Sequence, residues 1–188
     1  MKIDLGCGNN KRHGYIGVDG TKKTGVDIVH NLNNLPLPFD DESATDIELS
    51  QILEHVDEPL KLLSECHRIL VKDGGQIHIR VPHGSCCRST WDNPEHKRGF
   101  AIGWFKCLET GEYSLDGGEF KVISTKLHYS NSNYRGKQKP RLHERILDYL
   151  ANNINQRHFE RLCVYWVGGY EELEITLQKK YKTPRHWV

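Results

Sequence analysis

The 188-residue sequence has no long hydrophobic run and almost no net charge. Its formal net charge is +1, so no overall field draws the protein toward nucleic acid or an anionic membrane. No apolar stretch approaches the roughly 20 residues that a membrane-spanning helix needs. The chain opens on a predicted strand and lacks the basic segment and apolar run of a signal peptide. We therefore predict a cytoplasmic protein without a membrane partner.

The six cysteines lack the paired spacing of a zinc site, and no Cys-x-x-Cys is present. Four possible ligands, His83, Cys86, Cys87 and His96, are close together in sequence. Adjacent cysteines, however, seldom ligate one ion. We therefore predict free thiols in a reducing compartment and no metal site.

Two glycines spaced by one residue, Gly6 and Gly8, follow the first apolar stretch, and Asp19 ends the next one. Glycine allows a sharp turn and brings backbone N–H groups close to a ligand. A carboxylate in the position of Asp19 can accept hydrogen bonds from both hydroxyls of a ribose. The pattern predicts an adenosine-containing ligand at the end of the first strand.

The third glycine of a dinucleotide-binding fingerprint is missing, because Lys11 stands where it should be. This argues against a pyrophosphate lying on a helix N-terminus, and so against NAD or FAD. A smaller adenosine ligand fits better, and S-adenosyl-L-methionine is the obvious candidate.

Further motifs follow in a fixed order. Leu-Pro-Phe at 37–39 precedes a predicted strand, Leu-Glu-His at 53–55 follows it, and Gly-Gly at 74–75 precedes an alternating strand at 76–82. With the glycine turn, this order closely resembles the small class I S-adenosylmethionine-dependent methyltransferases over roughly residues 1–83. The resemblance implies methyl transfer, with S-adenosylmethionine as the cofactor.

A looser resemblance, to a type 11-like subgroup of predicted bacterial methyltransferases, continues beyond the fifth strand. It rests on Asp-Asn-Pro-Glu-His-Lys-Arg-Gly-Phe at 92–100 and on Tyr-Trp-Val-Gly-Gly at 165–169. Residues 83–118 have no clear period and follow the strand at the ligand-binding edge of the sheet. We predict a substrate-binding insertion there; a packed loop or dimer contact is the alternative.

The predicted fold is α/β: one domain over residues 1–188, a Rossmann-like three-layer sandwich with a mostly parallel seven-stranded sheet. The first strands, at 1–5, 15–19 and 26–31, are joined by connections too short for full helices. These minimal first crossovers leave the sheet poorly covered on one side, and Glu48 is predicted to point toward that side. A partner subunit in a homodimer could cover that side.

The later elements follow from local pattern. Asp57 is predicted to cap a helix that has Pro59 in its first turn and an apolar face built mainly from leucines. The remaining elements are a strand at 120–129, a helix at 141–153 and a last strand at 173–177.

The methyltransferase resemblance implies nine cofactor-binding residues at the ends of the first four strands: Asp4, Gly6, Cys7, Gly8, Asp19, Asn31, Leu32, Ser50 and Gln51. The glycine turn and the end of the fourth strand should surround the methionine part. Asp19 should accept the ribose hydroxyls, and Asn31 and Leu32 should flank the adenine.

Methyl transfer to a hydroxyl benefits from a general base, and His55 is the predicted one because it follows the fourth strand at the cofactor edge. A histidine hydrogen-bonded to backbone at a helix start is the alternative. Glu54 would orient His55 or bind substrate. Four basic residues are predicted to bind substrate, the last three through an anionic group: His83, His96, Lys97 and Arg98.

Three functions remain open at this point. The first is a methyltransferase for a small molecule, such as a sugar or a polysaccharide precursor. The second is an RNA or protein methyltransferase, for which the seven Lys and Arg residues at 133–161 would be the contact; a solvated helix face explains them better. The third is a non-catalytic cofactor-binding or assembly module.

Overall fold

The computed structural model describes residues 1–110, 115, 118–130, 140–160 and 169–180. Within them, no helix has the length and apolar character needed to cross a membrane. Most of the Tyr-Trp-Val-Gly-Gly motif and part of the basic 133–161 segment lie outside the described residues. The elements are β1 (Lys2–Leu5), β2 (Ile16–Asp19), β3 (Ile28–Val29), β4 (Asp46–Ser50), α1 (Pro59–Ile69), β5 (Gln76–Pro82), α2 (Cys87–Trp91), α3 (Ile102–Thr110), β6 (Glu119–His128), α4 (Leu142–Asn153) and β7 (Glu172–Lys180).

The seven strands form one sheet in the order β3-β2-β1-β4-β5-β7-β6. The first five strands are parallel, and β7 runs antiparallel between β5 and β6. Residues 1–58 contain no helix, which confirms the minimal first crossovers. β3 is shorter than predicted, since only two residues of the 26–31 stretch pair with β2.

One face of the sheet carries the hydrophobic core. Ile47, Ile77 and Leu177 occupy one register row of β4, β5 and β7, and all three are fully buried. α1 buries Leu63 and Cys66 in the same core, as its leucine spacing predicted. The predicted cap of this helix is wrong: the N-cap residue is Glu58, which makes no side-chain capping bond. Asp57 instead forms an ion pair with Lys97.

The other face of the same strands is polar. A single row across the sheet holds Asp4, Glu48, His78 and Thr176. A parallel strand covered by helices on both faces would carry apolar residues on both. Arg12, from the connection between β1 and β2, reaches over this face and pairs with Glu48. A loop therefore provides cover here that a crossover helix would otherwise give.

His128, at the end of β6, lies between two carboxylates on the polar side of the molecule. Its Nδ1 is 3.6 Å from Asp148 Oδ2 on α4, and its Nε2 is 3.5 Å from Glu174 Oε2 on β7. Burial alone would lower the pKa of His128, but these carboxylates, with Glu172 nearby, raise it to about 9. Both distances are long for hydrogen bonds, so the interaction is mainly one between opposite charges. Lys126 also forms an ion pair with the same Glu174 carboxylate.

β6 is an edge strand. Side chains from α4 and from the residues that follow it form hydrogen bonds to backbone groups on the open edge of β6. Asn152 accepts the N–H of Leu127 and donates to its carbonyl, each at 2.8 Å. Gln156 donates to the carbonyl of Thr125 at 2.6 Å. An exposed strand edge is a template for pairing with another chain, so these side chains prevent such pairing here.

The segment at 83–118 is not irregular throughout, which corrects the expectation from its lack of period. It contains α2 and α3, and α3 buries Ile102, Phe105 and Leu108 at helical spacing. Trp104 lies edge-on to both Phe105 and Phe100, with ring centroids 4.8 and 5.1 Å apart. Aromatic residues on more than one side of the helix obscured its period.

Candidate functional site

The carboxyl ends of β1, β2 and β4 meet at one edge of the sheet, where a cavity of about 410 Å³ opens. In a parallel α/β sheet this edge is where ligands bind. The structure brings six of the nine residues predicted to bind a cofactor to the wall of this cavity: Gly6, Gly8, Asp19, Asn31, Leu32 and Gln51.

The turn after β1 depends on its glycines. Gly6 and Gly8 have φ angles of +73° and +54°, which residues with a side chain rarely adopt. A Cβ on Gly6 would lie 1.8 Å from Ile52 Cδ1, whereas a Cβ on Gly8 would meet no atom within 4 Å. The backbone at Gly8 therefore borders open space in the cavity. Val18, through its carbonyl, holds the turn by accepting the N–H groups of Gly6 and Cys7.

Asp19, the last residue of β2, presents its carboxylate at the cavity. Oδ2 accepts the N–H of Gly8 at 3.0 Å, and Oδ1 accepts the N–H of Thr21 at 3.1 Å and lies 3.2 Å from Lys23 Nζ. Burial opposes ionisation, but these donors outweigh it and hold the pKa of Asp19 below its ordinary value. The group is a charged acceptor with partners on both oxygens.

The three other predicted cofactor residues do not line the cavity. Asp4 is buried and accepts the N–H of Arg12 at 2.7 Å, so it fixes the loop between β1 and β2. Cys7 turns its buried thiol toward the carbonyl of Gly25. Burial, reinforced by nearby carboxylates, raises the pKa of this thiol. Ser50 is half-buried at the end of β4.

Gln51 and Asn31 both line the cavity. Gln51 has a φ of +58°, a strained conformation for a residue with a side chain, and its Nε2 donates to Glu172 at 3.1 Å. Asn31 accepts the N–H of Asn33 at 3.0 Å through its side-chain oxygen. Both amide side chains are thus held in place by neighbours within the fold.

Glu54 follows β4 and is completely buried. Within the described part of the chain, neither carboxylate oxygen has a hydrogen-bond partner. Burial, with a lesser contribution from Glu172, raises the pKa of Glu54 to about 8. A buried carboxyl group without a partner is rare in folded proteins and calls for a specific explanation.

The segment at 96–98 is tied to the residues after β4 by several hydrogen bonds. The N–H of Lys97 donates to the carbonyl of Glu54 at 2.8 Å. Arg98 donates to the carbonyls of Val56 and Asp57 at 2.8 and 3.1 Å. Lys97 and Arg98, predicted to bind an anionic substrate, thus have their charged groups engaged within the protein.

These bonds bring His96 against Glu54 and His55. The imidazole rings of His55 and His96 are 4.8 Å apart and nearly perpendicular, and His96 Nε2 is 4.0 Å from Glu54 Oε1. Burial and the proximity of His96 lower the pKa of His55. His55 lines the cavity, so this cluster of three side chains, which we call the EHH cluster, lies beside it.

The structure does not bring His83 to the cavity. Its ring is buried, Nδ1 is 2.7 Å from Ser85 Oγ, and Nε2 is 2.9 Å from Glu160 Oε1. With both ring nitrogens occupied, His83 joins the end of β5 to the helical turn at 156–160.

Six residues that line the cavity were missed by the sequence reasoning: Gly20, Lys23, Asn33, Ile52, Val56 and Glu95. Lys23 had a signal, because its ion pair with Asp19 spans four residues. Glu95 had none, since it reaches the cavity through the long-range contacts between the 54–57 and 96–98 segments.

A larger cavity, of about 550 Å³, lies near the amino-terminal ends of β4 and β5, beside α1. Arg68 at its wall is already bound to Asp41 and Glu65. Lys179 donates to the carbonyl of Leu70 at 2.7 Å. These two charged groups at the wall of the larger cavity are already paired within the protein. The smaller cavity is therefore the better candidate site.

The chain is also similar to known proteins. Residues 3–79 match the family model of a methyltransferase domain. A search of curated proteins finds no significant match.

Solved structures resemble the chain along almost its whole length. A SAM-dependent methyltransferase from Archaeoglobus fulgidus is 20% identical, with 95% of this chain and 85% of that chain covered and a TM-score of 0.59. An S-adenosylmethionine-dependent methyltransferase from Mesorhizobium loti is 14% identical, with 95% and 90% covered and a TM-score of 0.53. Phosphoethanolamine N-methyltransferase 1 from Haemonchus contortus is 15% identical, with 99% and 40% covered and a TM-score of 0.57.

Proposed function

We propose that this chain, which has the class I S-adenosylmethionine-dependent methyltransferase fold and matches a methyltransferase domain from β1 into β5, methylates a small molecule. S-adenosylmethionine is the methyl donor. The single observation that carries this is the cavity at the ends of β1, β2 and β4, with its glycine turn and charged Asp19.

The residues present fit that cofactor. A cavity of about 410 Å³ lies within the range of small-molecule sites, and the open space beside Gly8 is where a side chain would exclude a ligand. Gly6 and Gly8 would hold the methionine end with Gln51 opposite. Asp19 would accept the ribose hydroxyls in competition with its present donors, and Asn31 and Leu32 would flank the adenine.

When bound, S-adenosylmethionine supplies a methyl group on a positively charged sulfur, which makes that carbon electrophilic. The contribution of the protein is then to align the acceptor and exclude water. We assign to the EHH cluster the removal of the proton from an acceptor hydroxyl. His55, which lines the cavity, is the member that accepts this proton, and Glu54 lies beside it.

A small acceptor is favoured over RNA because of charge. The chain has a net charge of +1. Lys97 and Arg98, two cations beside the EHH cluster, are bound to Asp57 and to backbone carbonyls. These groups offer no extended basic surface for phosphates beside the cavity.

Calorimetric titration with S-adenosylmethionine and S-adenosylhomocysteine tests the cofactor site. We expect micromolar binding by the unchanged protein and a loss of at least about tenfold in Asp19→Ala, because hydrogen bonds to a charged group contribute about 1.5–3 kcal/mol each. Asp19→Asn removes the charge but keeps the shape and one acceptor oxygen, which can serve the N–H of either Gly8 or Thr21. Asp73→Ala, at an exposed carboxylate in the turn before β5, is the control.

Absence of binding by the folded, unchanged protein would overturn the proposal. If binding is found, transfer of labelled methyl groups into pools of sugars and other small hydroxyl compounds identifies the acceptor. Labelling only of RNA or protein would contradict the small-molecule assignment.

A further inference from the structure

The EHH cluster has the composition and spacing of a metal site. The potential ligand atoms of Glu54, His55 and His96 all lie within 4.8 Å of one another. Glu54 is the unusual member, because its carboxyl group is fully buried and has no hydrogen-bond partner among the described residues. Such a group needs a proton or a cation to balance it.

The backbone fixes the orientation of His96. Its Nδ1 lies 3.0 Å from the carbonyl oxygen of Thr90. A carbonyl oxygen only accepts, so the ring nitrogen facing it must carry the hydrogen. In a neutral ring the other nitrogen then has a free lone pair. Metal-bound histidines are typically held in this way by a carbonyl or carboxylate.

The distances fit shared ligands better than a hydrogen-bonded cluster. His96 Nε2 and Glu54 Oε1 are 4.0 Å apart, which is too long for a hydrogen bond. Two ligands bound tetrahedrally to zinc, each at about 2.0–2.1 Å, lie roughly 3.4 Å apart. A small movement of either side chain closes this difference.

We propose that Glu54, His55 and His96 bind one divalent transition-metal ion of the zinc type. Two imidazoles disfavour magnesium and calcium, which prefer oxygen ligands. Two histidines and one glutamate are also a ligand set that leaves a coordination position open.

Because His55 lines the cavity, we expect the open coordination position to face the cavity. An acceptor oxygen bound there would lose its proton to solvent more readily, because a bound zinc ion lowers the pKa of its oxygen ligand. His55 would then act as a ligand rather than as a free base. This role rests on the proposed methyltransferase function, whereas binding of the ion does not.

The test uses chelator-treated protein titrated with Zn²⁺ by calorimetry and with Co²⁺ by visible absorption. We expect one ion per chain with micromolar or tighter affinity. Glu54→Gln, which preserves shape, and His96→Ala should each weaken binding by at least about 10–100-fold, the range typical of losing even an outer-shell group. His13→Ala, at an exposed histidine, should leave binding unchanged.

Cysteine is the competing ligand, and Cys87 is exposed. Binding that disappears in Cys87→Ser, or a thiolate charge-transfer band with Co²⁺, would overturn the proposal. So would absence of binding, or binding unaffected by both Glu54→Gln and His96→Ala. S-adenosylhomocysteine is titrated into the same chelated samples: binding there without metal binding refutes the metal site alone and leaves the cofactor site standing.

Discussion

The contact between the glycine turn and Ile52 yields a prediction with two separable parts. Gly6→Ala forces a side chain into a φ of +73° and places its Cβ 1.8 Å from Ile52 Cδ1. The backbone strain costs about 1–2 kcal/mol and the overpacking about 1–3 kcal/mol. We expect the free energy of unfolding to fall by about 2–5 kcal/mol.

A double-mutant cycle with Ile52→Ala distinguishes the two parts. Removing the Ile52 side chain leaves the strain at Gly6 but abolishes the clash, so Gly6→Ala should cost only about 1–2 kcal/mol in that background. Gly14→Ala is the matched control, because Gly14 has a φ of +82° and no atom within 4 Å of an added Cβ. It should show the strain alone.

Urea unfolding at unchanged slope measures these differences, and S-adenosylhomocysteine titration reports whether the cavity survives. Two results together would refute the reasoning: equal costs for Gly6→Ala and Gly14→Ala, and strict additivity between Gly6→Ala and Ile52→Ala. The turn would then not be packed against Ile52 in solution.

Three further changes test other parts of the fold. The raised pKa of His128, about 9, means that its stabilising charge is fully present below about pH 6.5 and is lost as pH rises through 9. The unfolding free energy should therefore fall over this window by at most about 3 kcal/mol, and His128→Gln should flatten the profile; an unchanged profile contradicts the assignment. Asn152→Ala leaves two backbone groups of Leu127 without their partner, so urea unfolding should show a loss of about 1–3 kcal/mol and light scattering should show self-association; a surface substitution at Asn153 is its control. Lys97→Met removes the ion pair with Asp57 but keeps the backbone bond to Glu54, so calorimetric Zn²⁺ affinity should stay within about threefold, since an exposed pair contributes only about 0–1 kcal/mol.

The sequence predicted the features that depend on neighbours in the chain. The glycine turn needs only Gly6 and Gly8 at the end of a strand, and α1 needs only leucines at helical spacing. The limits of β5, at residues 76–82, follow from strict alternation of polar and apolar residues.

Features set by distant contacts were not predictable in this way. His96 reaches Glu54 because the N–H of Lys97 bonds to the carbonyl of Glu54, and a backbone bond leaves no mark on side-chain pattern. The side chain of Lys97 also forms an ion pair with Asp57, so the Asp57 carboxylate does not cap α1 as its capping preference had predicted. α3 escaped detection since its neighbour Phe100 and its own Trp104 pack beside the buried stripe.

The bonds between residues 54–57 and 96–98 also join two stretches of the chain that contribute different parts of the site. The cavity wall at Gly6, Gly8 and Asp19 belongs to the stretch that matches the methyltransferase domain, at 3–79. His96 belongs to the stretch beyond it. Exchange of the 83–118 segment between related chains would therefore replace His96 and its supports while leaving the wall at Gly6, Gly8 and Asp19 intact. Substrate selectivity can therefore change when this one segment is exchanged, because the segment is held to the rest of the site by its bonds to the residues that follow β4.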